Sequence, residues 1–168
     1  MSKLERATYI CLITVSLVSL VLLVENRFFG STPPGQPGEE TLVGKREANL
    51  PEALWTGSSK NVVLLLSTRC RFCAESIPLY RELSQARKQA PGGGFSLLVA
   101  SFDPPSRMQN YLDQENVSVD NVFPAQGGFV GVSVTPAIFI VDSNGVVQRA
   151  FFGRLNWIQE RRLRIALN

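Results

Sequence analysis

The chain of 168 residues contains no histidine and only three cysteines. Those shortages remove most metal chemistry at once. A structural zinc site takes four ligands, and one of the three thiols, Cys11, lies inside a hydrophobic run. No metal site is expected within one chain. Excess charge is also lacking, with 17 Lys and Arg against 14 Asp and Glu. The basic residues are spread out rather than gathered into a block with interleaved aromatics, so nucleic acid is not indicated as a partner. Arg161, Arg162 and Arg164 form a small cluster, which reads as a solvated face of a last helix whose dipole they complement. The glycine run Pro91-Gly92-Gly93-Gly94 lacks the Lys-Ser/Thr of a phosphate loop and reads as a flexible connection.

One long hydrophobic run is present. Residues 7–24 carry no charge and are dominated by Leu, Val and Ile; about 18 residues at roughly 1.5 Å each span about 27 Å, close to the hydrocarbon thickness of a bilayer. Small residues at cleavage-site spacing are missing from the exit Val24-Glu25-Asn26-Arg27, and Cys11 follows Ile10 rather than a small residue. A retained anchor is therefore expected over a cleaved signal peptide or an acylated lipoprotein. Lys3, Arg6 and the terminal amine precede the run while Glu25 and Arg27 nearly cancel after it, so the N-terminus is expected in the cytoplasm and the body outside the inner membrane, periplasmic or extracellular. That compartment is oxidising. The division expected is 1–25 as cytoplasmic stub and transmembrane anchor, 26–45 as a Pro/Gly-rich tether, and 46–168 as one folded domain.

Within that domain strands and helices alternate. Residues 62–66 form a wholly apolar run, as in a central strand covered on both faces. A helix is predicted over 74–89, with Ile77, Tyr80, Leu83 and Ala86 on one face. A second buried strand follows at 95–102, then a helix from Ser106, its predicted cap, to about Gln114. Residues 137–141 and 146–152 form a hairpin around Asp142-Ser143-Asn144-Gly145. Asn156 caps a final helix, and a short helix opened by Pro51 is expected at 50–54.

Between the first strand and the first long helix stands Cys70-Arg71-Phe72-Cys73. Two thiols at that spacing, at a strand-to-helix junction, are the reactive unit of a dithiol redox site. Unpaired N–H groups and partial positive charge at a helix start favour the thiolate, and Arg69 and Arg71 place two further cations beside Cys70. Cys70 is the expected nucleophile. Cys73, one helical turn on, is the expected resolving thiol, which attacks a mixed disulfide made by Cys70 and closes the intramolecular bridge. The cycle needs no cofactor. A structural bridge is the alternative, although so small a loop removes little unfolded-state entropy.

In this order the body resembles a thioredoxin-fold domain: an α/β fold with a central mixed sheet flanked by helices, of the membrane-anchored thioredoxin-like and redoxin group of bacterial thiol-disulfide oxidoreductases. Beyond the dithiol, Pro78 lies five residues after Cys73, where such proteins kink the active-site helix. Val132-Ser133-Val134-Thr135-Pro136-Ala137-Ile138-Phe139-Ile140-Val141-Asp142 resembles the segment carrying their cis-proline, followed by the Asn144-Gly145 turn and by Gly153. The resemblance implies that Pro136 is cis and turns the Thr135 backbone toward the dithiol, where an extended client segment pairs with it. A trans proline opening the next strand is the alternative. Implied partners are client protein thiols or disulfides and a membrane or periplasmic redox partner. The direction of electron flow stays open.

The chain also departs from that pattern. Arg69 and Phe72 stand where many relatives have Trp and Pro, and Leu64 stands where a buried carboxylate assists the second thiol's proton transfer. Glu75, the nearest carboxylate in sequence, is expected to be solvated. Ser67 matches the Thr/Ser of redoxin-type peroxidases, but their preceding proline falls on Val63. A peroxidase and a non-catalytic accessory module for maturing a secreted enzyme or cytochrome are therefore the alternative functions. The copper-chaperone branch uses a histidine, which this chain lacks.

Overall fold

The computed structural model describes residues 12–19, 38–47, 50–89 and 94–167. The chain falls into two units, Met1–Gly35 and Gln36–Asn168. In the first, residues 12–19 are helical and expose Leu12, Ile13, Val15, Leu17 and Val18. Among the described residues no helix is long and apolar enough to cross a membrane. The remainder of the span expected at 7–24 lies outside the described residues, as does the tether from 26 to 37.

The second unit is built on five strands: β1 (Lys60–Leu66), β2 (Ser96–Ser101), β3 (Asn121–Pro124), β4 (Ala137–Asp142) and β5 (Val147–Phe152), in the order β3-β2-β1-β4-β5. β1 pairs in parallel with β2 and antiparallel with β4, so the sheet is mixed. Its central strand, β1, contains the wholly apolar run 62–66, buried on both faces. Side chains alternate across it. Val62, Leu64 and Leu66 join Val99, Ile138 and Ile140 in one core; Val63 and Leu65 join Leu98, Ala100, Phe139 and Val141 in the other.

The helices are α1 (Glu39–Leu42), α2 (Arg71–Glu75), α3 (Ile77–Gln89), α4 (Pro105–Gln114) and α5 (Trp157–Leu167), with a 3-10 turn at Glu52–Leu54. Tyr80 and Leu83 of α3, Met108 and Leu112 of α4, and Leu163 of α5 fill the first core. The second is closed by Leu42, Trp55 and Phe129 instead of a long helix. Arg164 makes a two-pronged pair with Glu82 at 2.6 and 2.8 Å, tying α5 to α3, so only Arg161 and Arg162 of the arginine cluster behave as a free solvated face.

Several boundaries differ from the sequence reading. Residues 39–45, assigned to the tether by composition, carry α1, bury Leu42 and lead into the Arg46–Val146 bridge beside β5. One apolar side chain in the core outweighs a polar neighbourhood. The fourth helix starts at Pro105 with Pro104 in the cap position, so Ser106 lies inside the first turn and caps nothing. Proline at N1 has no N–H to satisfy. β3 carried no signal: four residues ending in Pro124, on the sheet edge, where proline is tolerated. Asn156 caps as expected, its Oδ1 accepting from the Ile158 and Gln159 amides. The hairpin turn closes on Gly145, at φ +78°; a Cβ there would meet the Trp55 indole at 2.8 Å.

Candidate active site

The site grows from the C-terminal end of β1. Leu66 ends the strand, the Leu66 carbonyl accepts from the Phe102 amide, and the chain turns through residues 67–69. The Cys70 amide donates to the Ser67 carbonyl, and Cys70 becomes the cap residue of α2 with extended backbone. The helix therefore begins at Arg71, earlier than the residue at which apolar periodicity becomes visible. It divides from α3 at Ser76, two residues before Pro78, whose nitrogen cannot donate to the preceding turn.

Cys70 and Cys73 are joined in a disulfide with Cα atoms 5.2 Å apart. Their environments differ. Cys70 is half-buried, whereas Cys73 is 1% exposed and packs in the core beneath α3. The Cys73 amide donates to Cys70 Sγ at 3.1 Å. That bond and the helix start favour negative charge on Cys70 once the pair is reduced.

The arginines divide their tasks. Arg71 points its guanidinium at Glu75, 2.9 Å away, and Glu75 also accepts from Arg154 at 3.2 Å. Glu75 thus stays partly solvated, 30% exposed, and bridges α2 and the segment before α5 through surface ion pairs rather than standing free. Arg69 is exposed, and its charge is felt at Asp103.

Asp103 is the residue that sequence reasoning missed. It lies two residues past the end of β2, is 5% exposed, and its Oδ2 accepts from the Ser67 hydroxyl at 3.0 Å and the Thr68 amide at 2.7 Å. Burial works against its ionisation. The Thr68 and Ser67 hydrogen bonds and the Arg69 charge outweigh that cost and hold the carboxyl below its usual range. Asp103 thus staples the loop that presents Cys70 and occupies the Ser67 hydroxyl. The only sequence signal was a lone carboxylate between a buried strand and two prolines.

A depressed folded-state pKa contributes stability above the unfolded value of about 4, lost as pH falls through the folded value. Asp103→Asn should therefore destabilise the protein by about 1–3 kcal/mol at pH 7, from unmade charge-assisted hydrogen bonds, with the gap to the parent closing in acid. Urea unfolding at pH 7 and pH 3 measures both, and equal stabilities at pH 7 would remove Asp103 from this role.

Thr135 and Pro136 stand at the same end of the sheet. Ala137, next in sequence, pairs with Leu65 near the end of β1, and the Thr135–Pro136 bond is cis. Thr135 is half-buried and Pro136 buried. The Pro136 carbonyl accepts from Gly153, which fastens the segment bearing Arg154 to this loop. The geometry thus gathers the dithiol, the cis-proline loop, Arg154 and Asp103 around the ends of β1, β2 and β4.

No protein-family model matches the chain, and no curated protein does. Solved structures do. A putative thiol:disulfide interchange protein DsbE from Chlorobium tepidum is 22% identical, with 69% of this chain and 84% of that one covered and a TM-score of 0.52. A DsbF homologue from Corynebacterium diphtheriae is 11% identical over 81% of this chain and 96% of that one, with a TM-score of 0.55. StoA from Bacillus subtilis is 10% identical over 66% and 83%, at 0.51. At such identities the likeness establishes the fold, a mixed-sheet thioredoxin-like α/β architecture.

Proposed function

We propose that this chain is a thiol-disulfide oxidoreductase that exchanges the Cys70–Cys73 disulfide with client protein cysteines. The observation that carries the reading is the asymmetry of the pair: a half-buried Cys70 at a helix start, bonded to a Cys73 sealed in the core. A client thiolate attacks Cys70 Sγ, and Cys73 leaves as thiolate and takes up a proton. A second client thiol, losing its proton, then attacks the client sulfur of the mixed disulfide and expels Cys70. Two electrons have passed from client to protein, and the reverse sequence reduces a client disulfide. The partner's potential sets the direction.

Thr135, half-buried at the start of the segment leading into β4, supplies backbone against which an extended client segment pairs as an added strand. Arg69, exposed, and Arg71, paired with Glu75, flank Cys70 in sequence, and in this proposal their charge favours the Cys70 thiolate. Replacing both with glutamine should raise the Cys70 pKa and make the disulfide less oxidising, and each pKa unit corresponds to about 1.4 kcal/mol, before screening by water reduces it. Thiolate absorbance against pH decides this; an unchanged titration would assign the arginines elsewhere.

The body is held at a membrane, on its extracytoplasmic side, by the N-terminal run. Support comes from the uncharged stretch 7–24, its flanking charges, and the exposed apolar side chains of the helical residues 12–19. A redox partner in that compartment must then reset the pair.

Insulin reduction by the full chain with dithiothreitol tests the proposal. Acceleration that disappears in Cys70→Ser supports it; no acceleration leaves a binding module, and consumption of peroxide in place of insulin reduction would indicate the peroxidase.

A further inference from the structure

The surface around Cys70 is unevenly charged. Arg69 and Arg71 flank it in sequence. Arg154 reaches the same rim through Glu75, and Arg107 stands 3.9 Å from Asp103, the carboxylate that fastens the Cys70 loop. Four guanidinium groups thus share two carboxylates, one of them buried. The arginines are not consumed by these pairs: Arg71, Arg107 and Arg154 keep 86%, 66% and 62% of their side chains exposed. Two large apolar side chains lie in the same region. Phe72, between the cysteines, is 53% exposed, and Phe102, bonded through its amide to Leu66, is 40% exposed. Neither fills the core, and both stand on segments that the disulfide and Asp103 hold in place.

Granting the oxidoreductase reading, we infer that this rim selects its clients: the preferred partner is a protein segment whose cysteine is flanked by acidic residues and an apolar side chain. The acidic groups meet the arginines, raising encounter rates and orienting the sulfur, and the apolar side chain covers Phe72 and Phe102. Lysine-rich segments meet like charge and are turned away. The surplus of arginine over carboxylate at the reactive sulfur is the observation that sets the sign.

The test uses the reduced full chain in a Cys11→Ser background and short peptides whose single cysteine is bonded to thionitrobenzoate. The Cys70 thiolate attacks the peptide sulfur, and thionitrobenzoate leaves with the bonding pair as a coloured anion. Cys73, losing its proton, then displaces the peptide thiolate and closes the Cys70–Cys73 bond. Two electrons pass from the dithiol to the peptide disulfide. Three peptides share one framework: Glu-flanked with Leu, Lys-flanked with Leu, and Glu-flanked with Ser in place of Leu.

At low salt the Glu-Leu peptide should release colour about tenfold faster than the Lys-Leu peptide, and the ratio should collapse toward one in 1 M salt, where screening acts within about 3 Å. Arg107→Glu with Arg154→Glu should pull the low-salt ratio toward or below one. The Ser peptide should be slower than its Leu counterpart. A Glu/Lys ratio near one at low salt, or one indifferent to salt, overturns the acidic preference while leaving the exchange reaction intact. Equal rates for Leu and Ser peptides overturn the apolar half. If no peptide reacts, and the free dithiobis-nitrobenzoate does not either, the oxidoreductase reading itself fails and this inference with it.

Discussion

Replacing Cys73 by serine is expected to turn the chain into a trap, accumulating mixed disulfides through Cys70, whereas Cys70→Ser accumulates few and loses exchange activity. The difference follows from burial. Cys73 packs in the core and Cys70 lies at its edge, so an incoming sulfur meets Cys70 first and Cys73 serves only to release it. Without the resolving thiol the mixed disulfide has no fast internal exit. Non-reducing electrophoresis of material captured from cells, followed by mass mapping of the bonded cysteine, reads the outcome. Trapping mainly through Cys73 in the Cys70→Ser chain would reverse the assignment.

Phe139→Ala carries the largest expected cost in stability. Phe139 lies on β4 between β1 and β5, is fully buried, and packs at a tilt against Phe129 with centroids 4.9 Å apart and edge-on to Phe152 at 6.3 Å. Deleting such a ring loses its transfer energy and leaves a cavity, about 3–5 kcal/mol in all. In a domain of this size the unfolding midpoint should fall by roughly 10 °C. The effect should also reach the site, because β4 begins at Ala137, directly after Pro136. Thermal unfolding of parent and variant checks the magnitude, and a loss under about 1 kcal/mol would mean that the core beneath β4 repacks freely.

The parts legible in the sequence were those encoded by nearby residues. β1 and β2 are apolar runs, the β4–β5 turn carries Asn144-Gly145, and Asn156 announces the last helix. The dithiol was legible because its four residues are contiguous. Features made by distant pairs were not. Asp103 acts on Ser67 and Thr68, and Arg154 acts on Glu75 from far along the chain. Neither contact leaves a local pattern. β3 is short and ends in proline, so periodicity could not mark it, and α1 was masked by polar neighbours although Leu42 is wholly buried. Leu64 leaves β1 without a carboxylate, and the one that holds the Cys70 loop, Asp103, comes from the chain just past β2, a placement visible only once the strands are adjacent.

The central claim is that Cys70 and Cys73 form a redox couple, not a fixed structural bridge. Equilibrating the full chain in glutathione buffers of graded reduced-to-oxidised ratio, then alkylating and weighing it, tests this most directly. The account predicts that both thiols become free together in one two-electron transition within the range glutathione can reach. A bond that stays closed at every ratio, or that never forms, would contradict it.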